Sequence, residues 1–217
     1  NHRMPFDLSE RLTFALLAEV DSIAELIALM FPRAAAPEAE WQDFEGLGRD
    51  ADLMRDLLYR ALDSRKSGIN ILLYGPPGTG KTEFAKVLAA EIGAVLRSVG
   101  ETDDEGGAPS RHERLAELRM ASRMLGQRSD TVLLFDEMED LFGRKSAFFS
   151  HEMPSKVHFN RMLETNPIPV IWTTNSVDAC DPAFLRRMSY SALMRPPSGR
   201  VRRRRRFPAR TSGDAAA

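Results

Sequence analysis

The sequence predicts an α/β protein in which a doubly wound, mainly parallel β-sheet is flanked by helices. Two observations support this fold class. Short apolar segments alternate along the chain with segments of helical periodicity, and several of the apolar segments end in glycine-rich or polar loops. A chain of 217 residues is long enough for one such domain with its own core and some additional helix.

The first predicted element is a helix at 8–31, where apolar residues recur at helical spacing until Pro32 ends it. An Ala/Pro linker at 33–37 follows, so residues 1–40 are predicted to be an N-terminal helical segment and linker. This segment is interpreted either as a helix packed on the core or as an element that recognises a partner.

Residues 41–196 are predicted to form the core domain. Helices are expected where leucines recur on one face or where a loop ends at a capping residue, and strands where apolar residues are continuous. The last helix has Asp181 as its cap and Pro182 at its first position. The predicted helices lie at 50–64, 81–92, 111–125, 156–164 and 183–188, and the predicted strands at 69–74, 94–99, 131–135 and 170–174.

Charge and composition exclude several classes of protein. The net charge is −1, and it divides into +7 in the Arg-rich residues 195–217 and −8 in the rest of the chain. The sequence has no apolar run long enough to cross a bilayer, and its first residues do not have the pattern of a signal peptide. Cys180 is the only cysteine, which is typical of a cytoplasmic protein.

The strongest functional signal is a glycine-rich segment between a predicted strand and a predicted helix. It matches G-x-x-x-x-G-K-[ST], the phosphate-binding loop of P-loop NTPases. Glycines let successive backbone N–H groups approach phosphates, and the start of the helix adds partial positive charge. Lys81 is expected to contact the β and γ phosphates of ATP, and the Thr82 hydroxyl is expected to bind Mg²⁺. The predicted nucleotide-binding residues of this loop are Gly75, Pro76, Pro77, Gly78, Thr79, Gly80, Lys81 and Thr82.

Two carboxylates follow the apolar strand at 131–135. Asp136 and Glu137 are expected at the carboxyl end of that strand, where parallel sheets bind ligands. Asp136 is therefore predicted to bind Mg²⁺ with Thr82, and Glu137 to act as the general base on a water molecule. Glu139, which comes soon after, is interpreted as part of a solvated helix start.

Polar residues also follow the strand at 170–174. Asn175 is predicted to orient the attacking water or to contact the γ-phosphate, although an asparagine here could simply open a turn. Arg186 and Arg187 are candidates for an arginine finger that acts on the γ-phosphate of a neighbouring subunit. The alternative for this pair is a solvated basic turn.

Taken together, GPPGTGKT, a strand ending in FDE, a strand ending in TTN and the segment DPAFLRRM resemble the core of an AAA+ ATPase. In that family they correspond to Walker A, Walker B, sensor 1 and the arginine finger. The resemblance covers residues 43–196 and includes a looser match at 44–48, beside the adenine. It implies a ring, often a hexamer, with ATP between subunits, and it slightly favours Arg187 over Arg186.

The sequence departs from this family at two places. The stretch 100–109, where many AAA+ proteins have an aromatic pore loop, is acidic and contains no aromatic residue. A mobile solvent loop or a contact with a basic partner fits it better than threading of a polypeptide. The helical lid expected after residue 196 is replaced by an Arg-rich tail at 197–217, which predicts a truncated core with a disordered tail.

The sequence therefore predicts Mg²⁺-dependent ATP hydrolysis coupled to remodelling of a protein partner. One alternative is a nucleotide-binding regulatory module that hydrolyses little ATP. Another is a DNA-linked AAA+ ATPase, for which the Arg-rich tail is the only support, through counterion release from a nucleic acid. A membrane partner is not expected.

Overall fold

A computed structural model of the chain describes residues 21–100, 111–141 and 156–196. The predicted Arg-rich tail at 197–217, most of the acidic loop at 100–109 and the predicted helix up to residue 20 lie outside the described residues. The described part contains a five-stranded parallel sheet with helices on both faces. The predicted α/β fold class is thus confirmed.

All four pairings of adjacent strands are parallel, and the strand order is β2-β3-β4-β1-β5. The strands are β1 (Asn70–Tyr74), β2 (Val95–Val99), β3 (Thr131–Phe135), β4 (Val170–Thr174) and β5 (Tyr190–Leu193). Because β1, β3 and β4 are internal to the sheet, the loops that follow them meet at one edge. These loops contain the phosphate-loop sequence, the acidic pair and the asparagine.

The α-helices are α1 (Ile23–Met30), α2 (Arg49–Asp63), α3 (Lys81–Glu91), α4 (Arg111–Leu125), α5 (Lys156–Thr165) and α6 (Pro182–Leu185). The described residues also contain 3₁₀ helices at Trp41–Leu47, Met138–Leu141 and Val177–Ala179. The sequence predicted five of these helices and the end of the N-terminal one. It missed the 3₁₀ helix at Trp41–Leu47 and the strand β5, which has only one buried residue.

The alternation of side chains along each strand divides the interior into two cores. Leu72 and Trp172 face one side of the sheet, where they pack with α1, α4, α5 and α6. Leu73 and Ile171 face the other side and pack with α2, α3 and the first 3₁₀ helix. The sheet is therefore buried on both faces, as expected for parallel strands joined by helices.

The linker between α1 and the first 3₁₀ helix packs along the outer edge of the sheet. Arg33 forms an antiparallel bridge with Arg97 of β2, and the Ala34 N–H donates to the Leu96 carbonyl at 2.9 Å. The carboxylate of Glu83 on α3 accepts a hydrogen bond from the Ala39 N–H at 2.9 Å and one from the Glu38 N–H. The linker is thus fixed to both an edge strand and α3.

In the described ranges, none of the helices combines the length and the apolar character that a membrane span requires.

Candidate functional site

The loop between β1 and α3 has a backbone that only glycine adopts readily at several positions. Gly78 and Gly80 have φ angles of 74° and 86°, and there is open space around Gly78. At Gly75 a Cβ atom would overlap the carbonyl oxygen of Met194, so this glycine is required for contact with the end of β5. The Thr79 hydroxyl donates to the Pro76 carbonyl at 2.9 Å and closes the loop from inside.

Helix α3 begins at Lys81 with its first turn facing this loop. Its N-cap is Gly80, which has no side chain to accept hydrogen bonds from the first backbone N–H groups of the helix. Such N–H groups and the helix dipole favour an anion at this end. The geometry of the loop is therefore compatible with a bound phosphate chain.

The ammonium group of Lys81 lies inside the loop and is buried. It donates to the carbonyls of Gly75 at 2.9 Å and Pro76 at 3.1 Å, and to Oδ1 of Asn175 at 2.8 Å. Burial lowers the pKa of Lys81, and the nearby carboxylates of Glu139, Asp136 and Glu137 oppose that shift. The ammonium group of Lys81 is thus held where the loops after β1 and β4 meet.

Two oxygen ligands suited to a divalent cation lie side by side. The Thr82 hydroxyl donates to Oδ2 of Asp136 at 2.7 Å. Oδ1 of Asp136 accepts a hydrogen bond from the hydroxyl of Thr173 on β4. A hydroxyl and a carboxylate are ligands that Mg²⁺ prefers, with phosphate oxygens and water completing its coordination shell. The donor set thus fits Mg²⁺.

Glu137 has an exposed side chain on an unusual backbone. Its φ angle is 49°, in the left-handed region that residues other than glycine rarely adopt. Its N–H donates to Thr173 Oγ1 at 3.1 Å and to Asp136 Oδ1 at 3.2 Å. The adjacent acidic residues therefore point differently, with Asp136 held inside the site and Glu137 toward solvent.

Glu139 belongs to the site, so its interpretation as part of a solvated helix start was incomplete. Its Oε1 accepts hydrogen bonds from the side-chain amide of Asn175 at 2.5 Å and from the Asn175 backbone N–H at 3.2 Å. These contacts hold the amide group so that its oxygen faces Lys81. Sequence spacing did not reveal this role because the contact joins two different loops.

Arg114 on α4 is a second residue that the sequence analysis missed. Its guanidinium is buried, lies 4.6 Å from the centre of the Phe135 ring and donates to the Asp136 carbonyl. It also donates to the carbonyls of Gly100 at 2.7 Å and Glu137 at 3.3 Å. The signal available in the sequence was an arginine beside the apolar positions of a predicted helix, but its partners could not be identified without the fold.

The two candidate arginine-finger residues differ in their surroundings. Arg187 forms an ion pair with Glu164 at 2.8 Å and donates to the Ala183 carbonyl at 2.6 Å. Arg186 is exposed, and its Nε donates to the Pro182 carbonyl of its own helix at 3.3 Å. The predicted cap of α6 is confirmed, since Asp181 accepts a hydrogen bond from the Ala183 N–H at 2.8 Å.

The structure thus joins Lys81 to Asn175 and Thr82 to Asp136 through side-chain hydrogen bonds, and the Glu137 N–H donates to the Asp136 carboxylate. Within the described ranges, no hydrogen bond or ion pair connects Arg186 or Arg187 with these residues.

Comparison with known proteins shows the family to which the chain belongs. The sequence model of the family described as "ATPase family associated with various cellular activities (AAA)" matches residues 71–195, more than half of the chain. The chain belongs to the AAA family of ATPases. The matched part of this AAA domain runs from β1 to just beyond β5 and contains every predicted site residue. The resemblance inferred from the motifs is therefore confirmed.

Curated relatives are similar to this AAA domain at moderate identity. An ATPase family gene 2 protein homolog B from Bos taurus is 32% identical over 65% of this chain and 20% of its own length. A cell division control protein 48 homolog C from Arabidopsis thaliana is 28% identical over 90% of this chain and 26% of its own length. An AAA ATPase forming ring-shaped complexes from Corynebacterium diphtheriae is 32% identical, over 69% and 34% respectively.

The AAA chain described here therefore spans about a fifth to a third of the length of these curated relatives.

Proposed function

We propose that this AAA domain binds ATP with Mg²⁺ and hydrolyses it, and that the cycle changes the conformation of a protein partner. The observation that carries the proposal is a pair of side-chain hydrogen bonds at the start of α3, Lys81 to Asn175 and Thr82 to Asp136, with Glu137 next to Asp136. Membership of an ATPase family supports the same chemistry.

In the proposed mechanism the phosphate loop holds the triphosphate. Lys81 exchanges its contacts with the Gly75 and Pro76 carbonyls for phosphate oxygens, to which the N–H groups at the start of α3 also donate. Thr82 and Asp136 would hold Mg²⁺, which supplies positive charge to the phosphate oxygens. Burial lowers the pKa of Lys81, and the negative charge of phosphate groups beside the ammonium would favour its protonated form.

Glu137 accepts a proton from the attacking water, and Asn175 orients that water or contacts the γ-phosphate. Glu139 keeps the Asn175 amide in one orientation by accepting hydrogen bonds from the side-chain amide and the backbone N–H of Asn175. Because Asn175 also binds Lys81, the residue that orients water is connected with the residue that binds phosphate. These roles place catalysis at the edge of the sheet where β1, β3 and β4 end.

The proposal includes a ring in which an arginine completes the site of a neighbouring subunit. A relative named for forming ring-shaped complexes supports this assembly. The resemblance to AAA+ ATPases implies a hexamer as the size of the ring. We favour Arg186 as the residue that acts in trans, in contrast to the slight preference for Arg187 from sequence. Arg186 is exposed, whereas Arg187 is occupied by Glu164 of its own chain.

The test uses Glu137→Gln and Lys81→Ala with the parent chain as reference. Glu137→Gln should bind ATP as the parent does while Mg²⁺-dependent phosphate release falls at least about a hundredfold, because the amide cannot accept the proton. Lys81→Ala should lose ATP binding itself. Phosphate release from the parent should rise faster than linearly with protein concentration if subunits complete each other's sites.

Unchanged turnover in Glu137→Gln would remove Glu137 from the mechanism. ATP binding without turnover in the parent at every concentration would instead identify a nucleotide-binding regulatory module.

A further inference from the structure

Glu137 has a backbone conformation that costs free energy. Its φ of 49° brings Cβ close to the following carbonyl group, a cost that glycine does not have. Such a residue stays in this region only where the surrounding structure fixes it. The contacts of the Glu137 peptide groups therefore determine where its carboxylate points.

The N–H side of Glu137 is held by Thr173. The Thr173 hydroxyl has a single hydrogen, which it donates to Oδ1 of Asp136, and it accepts from the Glu137 N–H at 3.1 Å. Thr173 is fully buried on the internal strand β4, and its branched side chain has little rotational freedom. One rigid hydroxyl thus connects the carboxylate of the predicted Mg²⁺ ligand to the backbone of the predicted base.

Arg114 holds the carbonyl groups on both sides of the Glu137 Cα atom. Its two terminal nitrogens donate to the carbonyls of Asp136 and Glu137, and its Nε donates to Gly100 at the end of β2. The guanidinium is 7% exposed and lies over the Phe135 ring, the last residue of β3. A planar fork of five N–H donors can make these contacts together, whereas a lysine cannot.

We propose that Thr173 and Arg114 are positioning residues that hold Glu137 in its left-handed conformation and thereby aim its carboxylate at the attacking water. This inference rests on the proposed role of Glu137 as general base. Neither residue touches the reacting atoms. If either contact is lost, the backbone relaxes toward negative φ, and the side chain then leaves the direction that hydrolysis needs.

The kinetic test compares buried residues that undergo the same substitution. Thr173→Val should lower kcat for Mg²⁺-ATP about tenfold to a hundredfold, because the base loses its aim. The Kd for ATP should change less than about threefold, because Asp136 keeps its hydrogen bond from Thr82 and the phosphate loop is untouched. Thr131→Val is the control. Thr131 is also fully buried on the sheet, but its hydroxyl donates to Asp130, away from the site, so its kcat should stay within about twofold.

Arg114 is tested with a graded pair of substitutions. Arg114→Gln should lower kcat at least as much as Thr173→Val, and Arg114→Lys should recover only part of the loss, since charge returns without the fork. Arg119→Gln on the same helix is the control, because Arg119 donates to the Leu115 carbonyl of its own helix. If the Arg114 variants do not fold, Thr173→Val and its control decide the question.

Amide hydrogen exchange measured by NMR tests the contacts that hold Glu137 without a measurement of turnover. In Thr173→Val the Glu137 amide should exchange at least about tenfold faster than in the parent, even though Asp136 Oδ1 remains as a second acceptor. The amides of Leu134 and Phe135, which lie within β3, should keep their rates. Unchanged exchange at Glu137 together with unchanged kcat in Thr173→Val would overturn the proposal.

The two proposals fail in different ways. Full turnover in Glu137→Gln would show that Glu137 is not the general base. The exchange rate of its amide would then report only whether Thr173 and Arg114 fix the backbone. Faster exchange at Glu137 with normal kcat would refute the positioning role while hydrolysis by this domain still stands.

Discussion

Replacement of Asn70 by leucine should destabilise the domain by removing a buried hydrogen-bond junction. Asn70 is fully buried at the start of β1. Its Nδ2 donates to the Leu163 carbonyl at 2.8 Å and the Gly68 carbonyl at 3.2 Å, and its Oδ1 accepts from the Trp172 indole at 3.1 Å. The Leu163 carbonyl depends on this contact, because Pro167 four residues later has no N–H to offer.

The magnitude follows from the groups left without a partner. A buried polar group that loses its hydrogen-bond partner costs about 1–3 kcal/mol. In Asn70→Leu the Leu163 carbonyl and the Trp172 N–H both lose theirs, which sums to about 2–6 kcal/mol, and burial of the leucine methyl groups offsets about 1–2 kcal/mol. We therefore expect a net loss of about 3 kcal/mol in the free energy of unfolding.

The assay is urea denaturation followed by circular dichroism, with the loss taken from the shift in midpoint at constant slope. The control is Ser122→Ala. The Ser122 hydroxyl is buried without a hydrogen-bond partner in the described part of the chain, so its removal should leave stability unchanged or raise it. A loss below about 1 kcal/mol in Asn70→Leu would refute the reasoning that this junction is needed.

Two further predictions concern the phosphate loop and the linker. Gly75→Ala should destabilise the domain far more than Gly93→Ala. Both glycines have positive φ, but only at Gly75 would a Cβ atom overlap the Met194 carbonyl. Comparable melting temperatures of the two variants would contradict this. Burial raises the pKa of Glu83, but hydrogen bonds from the linker, including the Ala39 N–H, outweigh it and place the pKa below its ordinary 4.5. The stabilisation is therefore present above pH 4.5 and is lost as the pH falls through the folded-state pKa, so denaturation midpoints measured from about pH 6 to pH 3 should fall less in Glu83→Gln than in the parent.

Sequence patterns predicted the elements whose residues show a local periodicity or a local run of apolar side chains. β1, β3 and β4 are rich in apolar residues because both faces of an internal parallel strand are buried. By contrast, β5 was missed because it lies at the edge of the sheet and alternates in burial over only four residues. The 3₁₀ helix at Trp41–Leu47 was missed because its signal is the packing of Phe44 on Phe84, which is a tertiary contact.

The candidate site was predicted to the extent that its residues follow one another in sequence. Lys81 and Thr82 belong to one contiguous motif, and Asp136 follows a recognisable strand. Glu139 and Thr173 act through contacts between loops or strands that are distant in sequence, so no local spacing indicated them. The exposure that favours Arg186 over Arg187 is likewise a property of the folded chain.

The order of strands has a consequence for synthesis of the protein on the ribosome. β1, from which the phosphate loop extends, pairs only with β4 and β5, which are made about 100 residues later. A nascent chain that ends before β4 can pair β2 with β3, but it holds β1 with both of its edges open. The phosphate loop is thus among the first parts of the domain to leave the ribosome and among the last to acquire its final shape. During this interval we expect the exposed β1 segment to bind chaperones or to associate with other unfolded chains.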